Sequence, residues 1–277
     1  MNNLELATAM SDRQNYLCVG LDPDWNKIPE YLKKQSSNAL FEFNKAIIDA
    51  TAPHCVAYKL NVAFYECHGI YGMVAFKDTI DYLKHKYPRK FIIADAKRAD
   101  IGNTSKMYAK AYFEYYDVDA VTVPPYMGKD SVKPFFEYKD KWVVVLALTS
   151  NEGSNDFQMV KGADNGLFLY EHVLETASQW GNPENTMFVV GATKPEETLA
   201  EIRRNYPDHF LLIPGVGAQG GDLAQTSKAG FNDIGGILIN SSRAIIHAGE
   251  DENFAIKARE AAQIMAGEMR ELWKERP

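Results

Sequence analysis

Cysteine is scarce in this sequence and has no pattern. Cys18, Cys55 and Cys67 are the only three, and none is spaced like a metal ligand, which argues against a zinc module or a disulfide framework. Cys18 and Cys55 sit in apolar runs and read as core thiols. Long apolar stretches are missing as well. The most apolar segment, Trp142–Leu148, is far too short to span a bilayer, and residues 1–15 hold nothing like a signal peptide. A soluble, cytoplasmic protein is expected, with no membrane partner. There is no surplus of basic charge: 30 Lys and Arg against 37 Asp and Glu leave a net charge of −7, unsuited to nucleic acid. The six histidines are scattered, with no His-Glu-x-x-His pattern, and no pyridoxal or thiamine motif is apparent. Neither a metal nor an organic cofactor is expected.

What is present is alternation. Short apolar runs at 17–21, 56–60, 91–94, 120–123, 143–148, 187–190, 210–213 and 236–239 read as strands. Between them lie amphipathic stretches at 38–51, 73–86, 104–115, 166–180, 195–205 and 222–229, and a last helix is expected at 253–274. Strands alternating with helices imply a parallel sheet. Eight of them in this length predict a (β/α)8 barrel, one domain over residues 1–277. An open doubly wound sheet would want Gly-x-Gly-x-x-Gly after its first strand. Here that strand runs into Gly20-Leu-Asp-Pro-Asp24. Residues 151–165, polar and rich in glycine, read as a long mobile loop of the kind that serves as a lid.

Barrel enzymes keep their chemistry at the C-terminal ends of the strands. The polar residues obey that rule. Strand one runs into Asp22, strand two into Lys59 and Asn61, strand three into Asp95 and Lys97, and strand five into Thr149 and Ser150. Strand seven ends in Pro214 and a glycine-rich turn, and strand eight in Asn240-Ser-Ser-Arg243. Strands in general end where polar residues begin, but lysine at two strand ends is not explained that way, since buried lysine is rare unless paired.

The densest cluster is Asp95-Ala-Lys-Arg-Ala-Asp-Ile-Gly-Asn-Thr104. Asp95 and Lys97, two apart, would share one face of a strand. Asp100 follows closely. Charges at that depth are costly unless paired or used, and such clusters mark candidate catalytic sites. Asp-x-Lys alone reads equally well as a structural ion pair. The Gly-Asn-Thr tail, suited to a tight turn opening a helix, favours a working site.

Gly215, Gly217, Gly220 and Gly221 crowd the segment after strand seven. Glycines let backbone N–H groups approach a ligand, and a helix expected from Asp222 would add its N-terminus to an anion site. Arg243 can fork two hydrogen bonds to phosphate oxygens. Loops seven and eight of a barrel are a common phosphate site, so a phosphorylated substrate is expected, with Gln219 as a further amide donor.

The Asp95–Thr104 string and the Pro214–Gly221 turn resemble the orotidine 5'-phosphate decarboxylase family. The likeness runs from Asp22 to Arg243. The form Tyr58-Lys-Leu-Asn61 resembles a longer, divergent subgroup of that family. The resemblance implies decarboxylation of orotidine 5'-phosphate to uridine 5'-phosphate (UMP), the last step of de novo pyrimidine nucleotide formation. It implies that Asp22, Lys59 and Asn61 contact the ribose hydroxyls, and that Lys59, Asp95, Lys97 and Asp100 form a metal-free charge array in which Lys97 protonates C6. It further implies a homodimer in which Asp100 and Thr104 complete the partner's site. Thr149, Ser150 or Ser154 would hold the pyrimidine edge. Pro214 would line the base pocket, and Gln219 and Arg243 would grip the phosphate. Two rivals stand beside this reading: a Mg²⁺-dependent sugar-phosphate enzyme sharing the Asp-x-Lys-x-x-Asp core, and a silent phosphate-ligand binder on the same fold.

Overall fold

Strands buried on both faces need near-continuous apolar sequence, and the chain supplies it eight times. In the computed structural model, which describes residues 1–217 and 220–276, these runs are β1 (Leu17–Gly20), β2 (Ala57–Asn61), β3 (Phe91–Asp95), β4 (Ala120–Val123), β5 (Trp142–Leu148), β6 (Thr186–Val190), β7 (Phe210–Pro214) and β8 (Ile237–Ser241). They pair in parallel, in sequence order, and close where β1 meets β8 with Cys18 beside Asn240. The expected (β/α)8 barrel is the fold. Gly20 matters to the closure. A Cβ there would lie 1.8 Å from the Ser242 hydroxyl, so only glycine lets the end of β8 tuck against β1.

Inward residues alternate along each strand. At the N-terminal end the first residues of three odd strands meet inside the barrel. The Phe91 and Trp142 rings lie edge to face at 5.6 Å, and Trp142 meets Phe210 at 5.5 Å. This is one layer of the stacked interior that such barrels build from alternate strands.

Most helices lie where expected, at Ala39–Thr51, Gly69–Lys86, Leu169–Ala177, Glu196–Asn205, Leu223–Gly230 and Phe254–Trp273. The stretch expected at 104–115 divides into an α-helix, Gly102–Lys110, and a π-helical turn, Ala111–Tyr115. Two helices of eight or more residues were not anticipated. Asn3–Arg13 lies under the barrel, with Leu6 and Met10 fully buried. The Trp142 indole N–H donates to the Met1 carbonyl at 2.9 Å. Its start carries a readable signal, a capping box in which Asn2 and Glu5 exchange hydrogen bonds. The second, Lys129–Phe136, hides behind Pro134, which reads as a breaker yet is accommodated in this short helix.

Residues 151–165 are not a bare loop. They begin with a 3₁₀ turn, Glu152–Asp156, and Lys161 bridges to Phe168 as a short antiparallel pair. Among the described residues no helix is long and apolar enough to cross a membrane.

Candidate active site

The C-terminal ends of the strands surround a cavity of about 410 Å³, in the range of sites that hold small ligands. Its walls carry three kinds of surface. Asp22, Lys59, Asn61, Asp95 and Lys97 form a charged side, and Leu146, Val189, Leu212 and Pro214 an apolar one. Thr149, Ser150, Gly215 and Arg243 lie along the rim.

Lys59 comes from β2 and is 5% exposed. Its ammonium lies 3.1 Å from Asp95 Oδ2 and 3.7 Å from Asp22 Oδ1. Burial alone would drive the proton off, but the two carboxylates outweigh it and hold the Lys59 pKa above its ordinary value. Asp95 sits between two lysines, with Lys97 Nζ 2.6 Å from Oδ1. Its own burial favours the neutral acid. The charges of Lys59 and Lys97, and their hydrogen bonds, win and hold the carboxyl well below the usual carboxylate range. The result is a row of alternating groups, Asp22, Lys59, Asp95 and Lys97, in which the Lys59 ammonium and the Asp95 carboxylate each favour the other's charged form.

Simple strand alternation does not bring Lys97 into that row. The strand stops at Asp95, and Lys97 adopts a left-handed backbone, φ +49°, uncommon for a residue with a side chain. The turn swings its ammonium back beside Asp95. Thr122, from the end of β4, closes the arrangement: its hydroxyl donates to Asp95 Oδ1 at 2.9 Å and accepts from the Lys97 N–H at 3.0 Å.

The phosphate end differs in one respect from expectation. Gly215, Gly217 and Gly220 all have positive φ, and the turn folds on itself through Gly217 N–H to the Gly221 carbonyl at 2.9 Å. The following helix, however, is capped by its own acid. Asp222 accepts from the Gln225 N–H at 2.8 Å, so that terminus already faces a carboxylate and is no open anion site. The exposed Arg243, on the short helix Arg243–Ile246, is the cation at this end of the cavity.

Of the hydroxyls after β5, Ser154 is buried away from the cavity and accepts from Lys194 Nζ at 2.6 Å. Thr149 accepts from Gln158 and donates to Asn151. Ser150 lines the cavity, and among the described residues its hydroxyl has no partner. Asp100 and Thr104 do not line it. Asp100 is half-buried and accepts from the Ile101 N–H, and Thr104 is exposed at the start of Gly102–Lys110. Gln219 lies outside the described residues. Among those described, no group of three or more His, Cys, Asp or Glu side chains could hold a metal ion.

The model of the orotidine 5'-phosphate decarboxylase / HUMPS family matches residues 15–258, which takes in all of these strands. The chain belongs to that family. The orotidine 5'-phosphate decarboxylase of Parabacteroides distasonis is 56% identical over 97% of this chain and 95% of its own length. The structure of the Leishmania donovani OMP decarboxylase superposes with a TM-score of 0.83 at 35% identity, covering 99% of both chains. The UMP synthase of the same organism matches with a TM-score of 0.85 at 37% identity, and there the chain spans 57% of the longer protein.

Within this decarboxylase-family barrel, sequence reasoning overlooked Thr122. A signal was available: in Ala120-Val-Thr-Val123 the alternation points Thr122 away from the outward face of its valine neighbours. Asn240 was noted only as a polar strand end. It is 8% exposed, lines the cavity, and its Oδ1 has no partner among the described residues.

Proposed function

We propose that this chain is a carboxy-lyase converting orotidine 5'-phosphate to UMP and CO2, the last step of de novo UMP formation. The observation that carries the reading is the alternating array Lys59–Asp95–Lys97 in a cavity whose far end offers a glycine turn and an arginine. Arg243 forks onto the 5'-phosphate, helped by Gln219 of the glycine-rich segment. Asp22, Asn61 and Lys59 hold the ribose hydroxyls. Pro214 and its apolar neighbours take the flat base, and Ser150 reads its edge. Ser150 is preferred because the Thr149 and Ser154 hydroxyls are already engaged.

The chemical difficulty is the electron pair left on C6, which lies in the ring plane where no ring orbital can absorb it. The C6–carboxylate bond breaks, CO2 departs, and the pair stays on C6. A cation fixed beside that atom stabilises the pair without reorganising at the moment of reaction. Lys97 provides it, then transfers a proton from Nζ to C6 and recovers one from solvent. Asp95 holds the Lys97 ammonium. Phosphate binding remote from C6 supplies energy for ordering the site. The array needs no metal: its carboxylates already face ammonium groups, which makes them poor ligands for a further cation.

Asp100 and Thr104 act in the other subunit of a homodimer. Their position outside their own cavity fits that role, as does the exposure of Ile101 and Met107 beside them, and of Ile70, Tyr71 and Val74 on the neighbouring helix. The test follows orotidine 5'-phosphate absorbance in excess EDTA, with the wild-type protein and Lys97→Ala side by side. Turnover in the first and none in the second is the expected result. Activity abolished by EDTA and restored by Mg²⁺, or a fully active Lys97→Ala protein, would sink the metal-free array.

A further inference from the structure

Thr122 has no role assigned so far, yet it touches both halves of the charge array. It sits on β4, one strand over from Asp95, and is 1% exposed. Its hydroxyl has one proton to give and lone pairs to receive. The Lys97 N–H points at Oγ1 from 3.0 Å and can only donate. The hydroxyl proton is therefore free for Asp95 Oδ1, 2.9 Å away, which as a carboxylate can only accept. The direction of both bonds is fixed by chemistry, without any choice of rotor.

Two consequences follow from that geometry. Asp95 receives donors from three strands or their ends: Lys59 on Oδ2, and Lys97 and Thr122 on Oδ1. Three donors from separate elements leave the carboxylate one orientation. The second consequence concerns Lys97. Its left-handed φ of +49° carries strain that persists only when surrounding contacts enforce it. Thr122 is what enforces it. Its side chain takes the Lys97 N–H, and its carbonyl takes the next one, from Arg98, at 3.3 Å. Both amides of the turn are stapled to one residue of β4. The Lys97 side chain itself is half-exposed, so packing does little to aim it.

On the reading above, that Lys97 serves C6, we propose that Thr122 is a positioning residue of the decarboxylation: its hydroxyl holds the Lys97 backbone in the left-handed turn and fixes the carboxylate that aims the Lys97 ammonium. Thr122 touches no reacting atom. It acts through where Lys97 Nζ stands.

Thr122→Val keeps the shape and removes the hydroxyl. Because a misplacement of about 1 Å at a reacting group costs on the order of 100-fold, kcat should fall about 10- to 100-fold. KM should stay within about threefold, since the ribose and phosphate contacts lie elsewhere. Thr122→Ser restores the hydroxyl and should recover most of kcat. A crystal structure of Thr122→Val should show Lys97 out of the left-handed region. Should the valine variant not fold, Thr122→Cys, of similar size and a weak donor, takes its place in the same comparison.

An unimpaired kcat in the variant overturns the inference. So does a loss that serine fails to rescue, which would make the methyl group responsible, or a loss that appears in KM, which would make Thr122 a binding residue. These outcomes are read against a wild type that turns over orotidine 5'-phosphate. An inactive wild type would sink the functional reading, and this inference with it, whereas an active wild type with an active Thr122→Val sinks this inference alone.

Discussion

Strand β3 carries Phe91 at one end of the barrel and Asp95 at the other, four residues apart and on the same inward face. At the lower end Phe91 joins Trp142 and Phe210 in an aromatic layer over the helix Asn3–Arg13, which buries Leu6, Ala7 and Met10. At the upper end Asp95 joins Lys59, Lys97 and Thr122 around a cavity. The floor gains stability from burying apolar area, with the Trp142 indole N–H paired to the Met1 carbonyl. The rim gathers like and unlike charges at a depth where each depends on its neighbour. One strand thus serves two purposes because its ends face different surroundings, and disturbances at the two ends should separate into activity and stability.

The sharpest contrast is Lys97→Ala. Removing the proton donor should cut turnover at least about 10,000-fold, about 5 kcal/mol. The thermal midpoint should stay near that of the wild type because the side chain is half-exposed. Steady-state turnover and a melting curve on one preparation check both halves. The mirror experiment is Trp142→Ala at the floor. It should cost about 3–5 kcal/mol of stability, read as a shift in denaturant midpoint, while turnover per folded molecule at low temperature stays within about threefold. A floor variant that kills activity without loosening the fold would break the comparison.

Asp95→Asn falls between these extremes, since it leaves Lys59 buried with one partner fewer. A loss of about 3 kcal/mol near neutrality is expected. The folded-state pKa of Asp95 is depressed, so its contribution is fully present above its ordinary value of 3.8 and disappears as pH falls through the folded value. The gap between wild type and Asp95→Asn should therefore be wide at pH 7 and narrow progressively below pH 3.8. Lys59 is shifted the other way, and its contribution is lost only as pH rises beyond its ordinary 10.5. Unfolding curves across acid pH test this, and a constant gap would contradict it.

Arg243→Ala should lower kcat/KM about 100-fold, as expected for loss of paired charge-assisted hydrogen bonds. It should leave a substrate without phosphate unaffected, which assays of the nucleotide and the nucleoside decide. The smallest effect is expected at Ser150, where alanine should raise KM about tenfold, about 1.4 kcal/mol. Thr149→Val should act through the loop that Gln158 anchors to it. Equal effects at both positions would remove the reason for preferring Ser150.

Much of this was legible in the sequence. All eight strands fall within a residue or two of their expected positions, because a strand buried on both faces must be apolar throughout and is bounded by polar residues. Nine of the thirteen candidate site residues line one cavity. Asp100, Thr104 and Ser154 stay outside it, and Gln219 lies outside the described residues. The readings that failed have local causes. No helix was expected at Lys129–Phe136, which contains Pro134, and Asp222 caps the helix once offered to the phosphate. Glycine and polarity in 151–165 concealed a 3₁₀ turn held by Gln158 and Lys194.

What the sequence determined by itself was the alternation of apolar runs and helices. That depends on residues a few positions apart, whose geometry the backbone period sets. What only the tertiary structure decided was the joining of distant parts. Lys59 lies 36 residues before Asp95 and Thr122 lies 27 after it. Their meeting requires the register in which Asn61 stands beside Asp95 and the strand order that sets β4 next to β3. The left-handed turn at Lys97 belongs there too, since nothing in Ala96-Lys97-Arg98 prefers it and only bonds to Thr122 make it favourable.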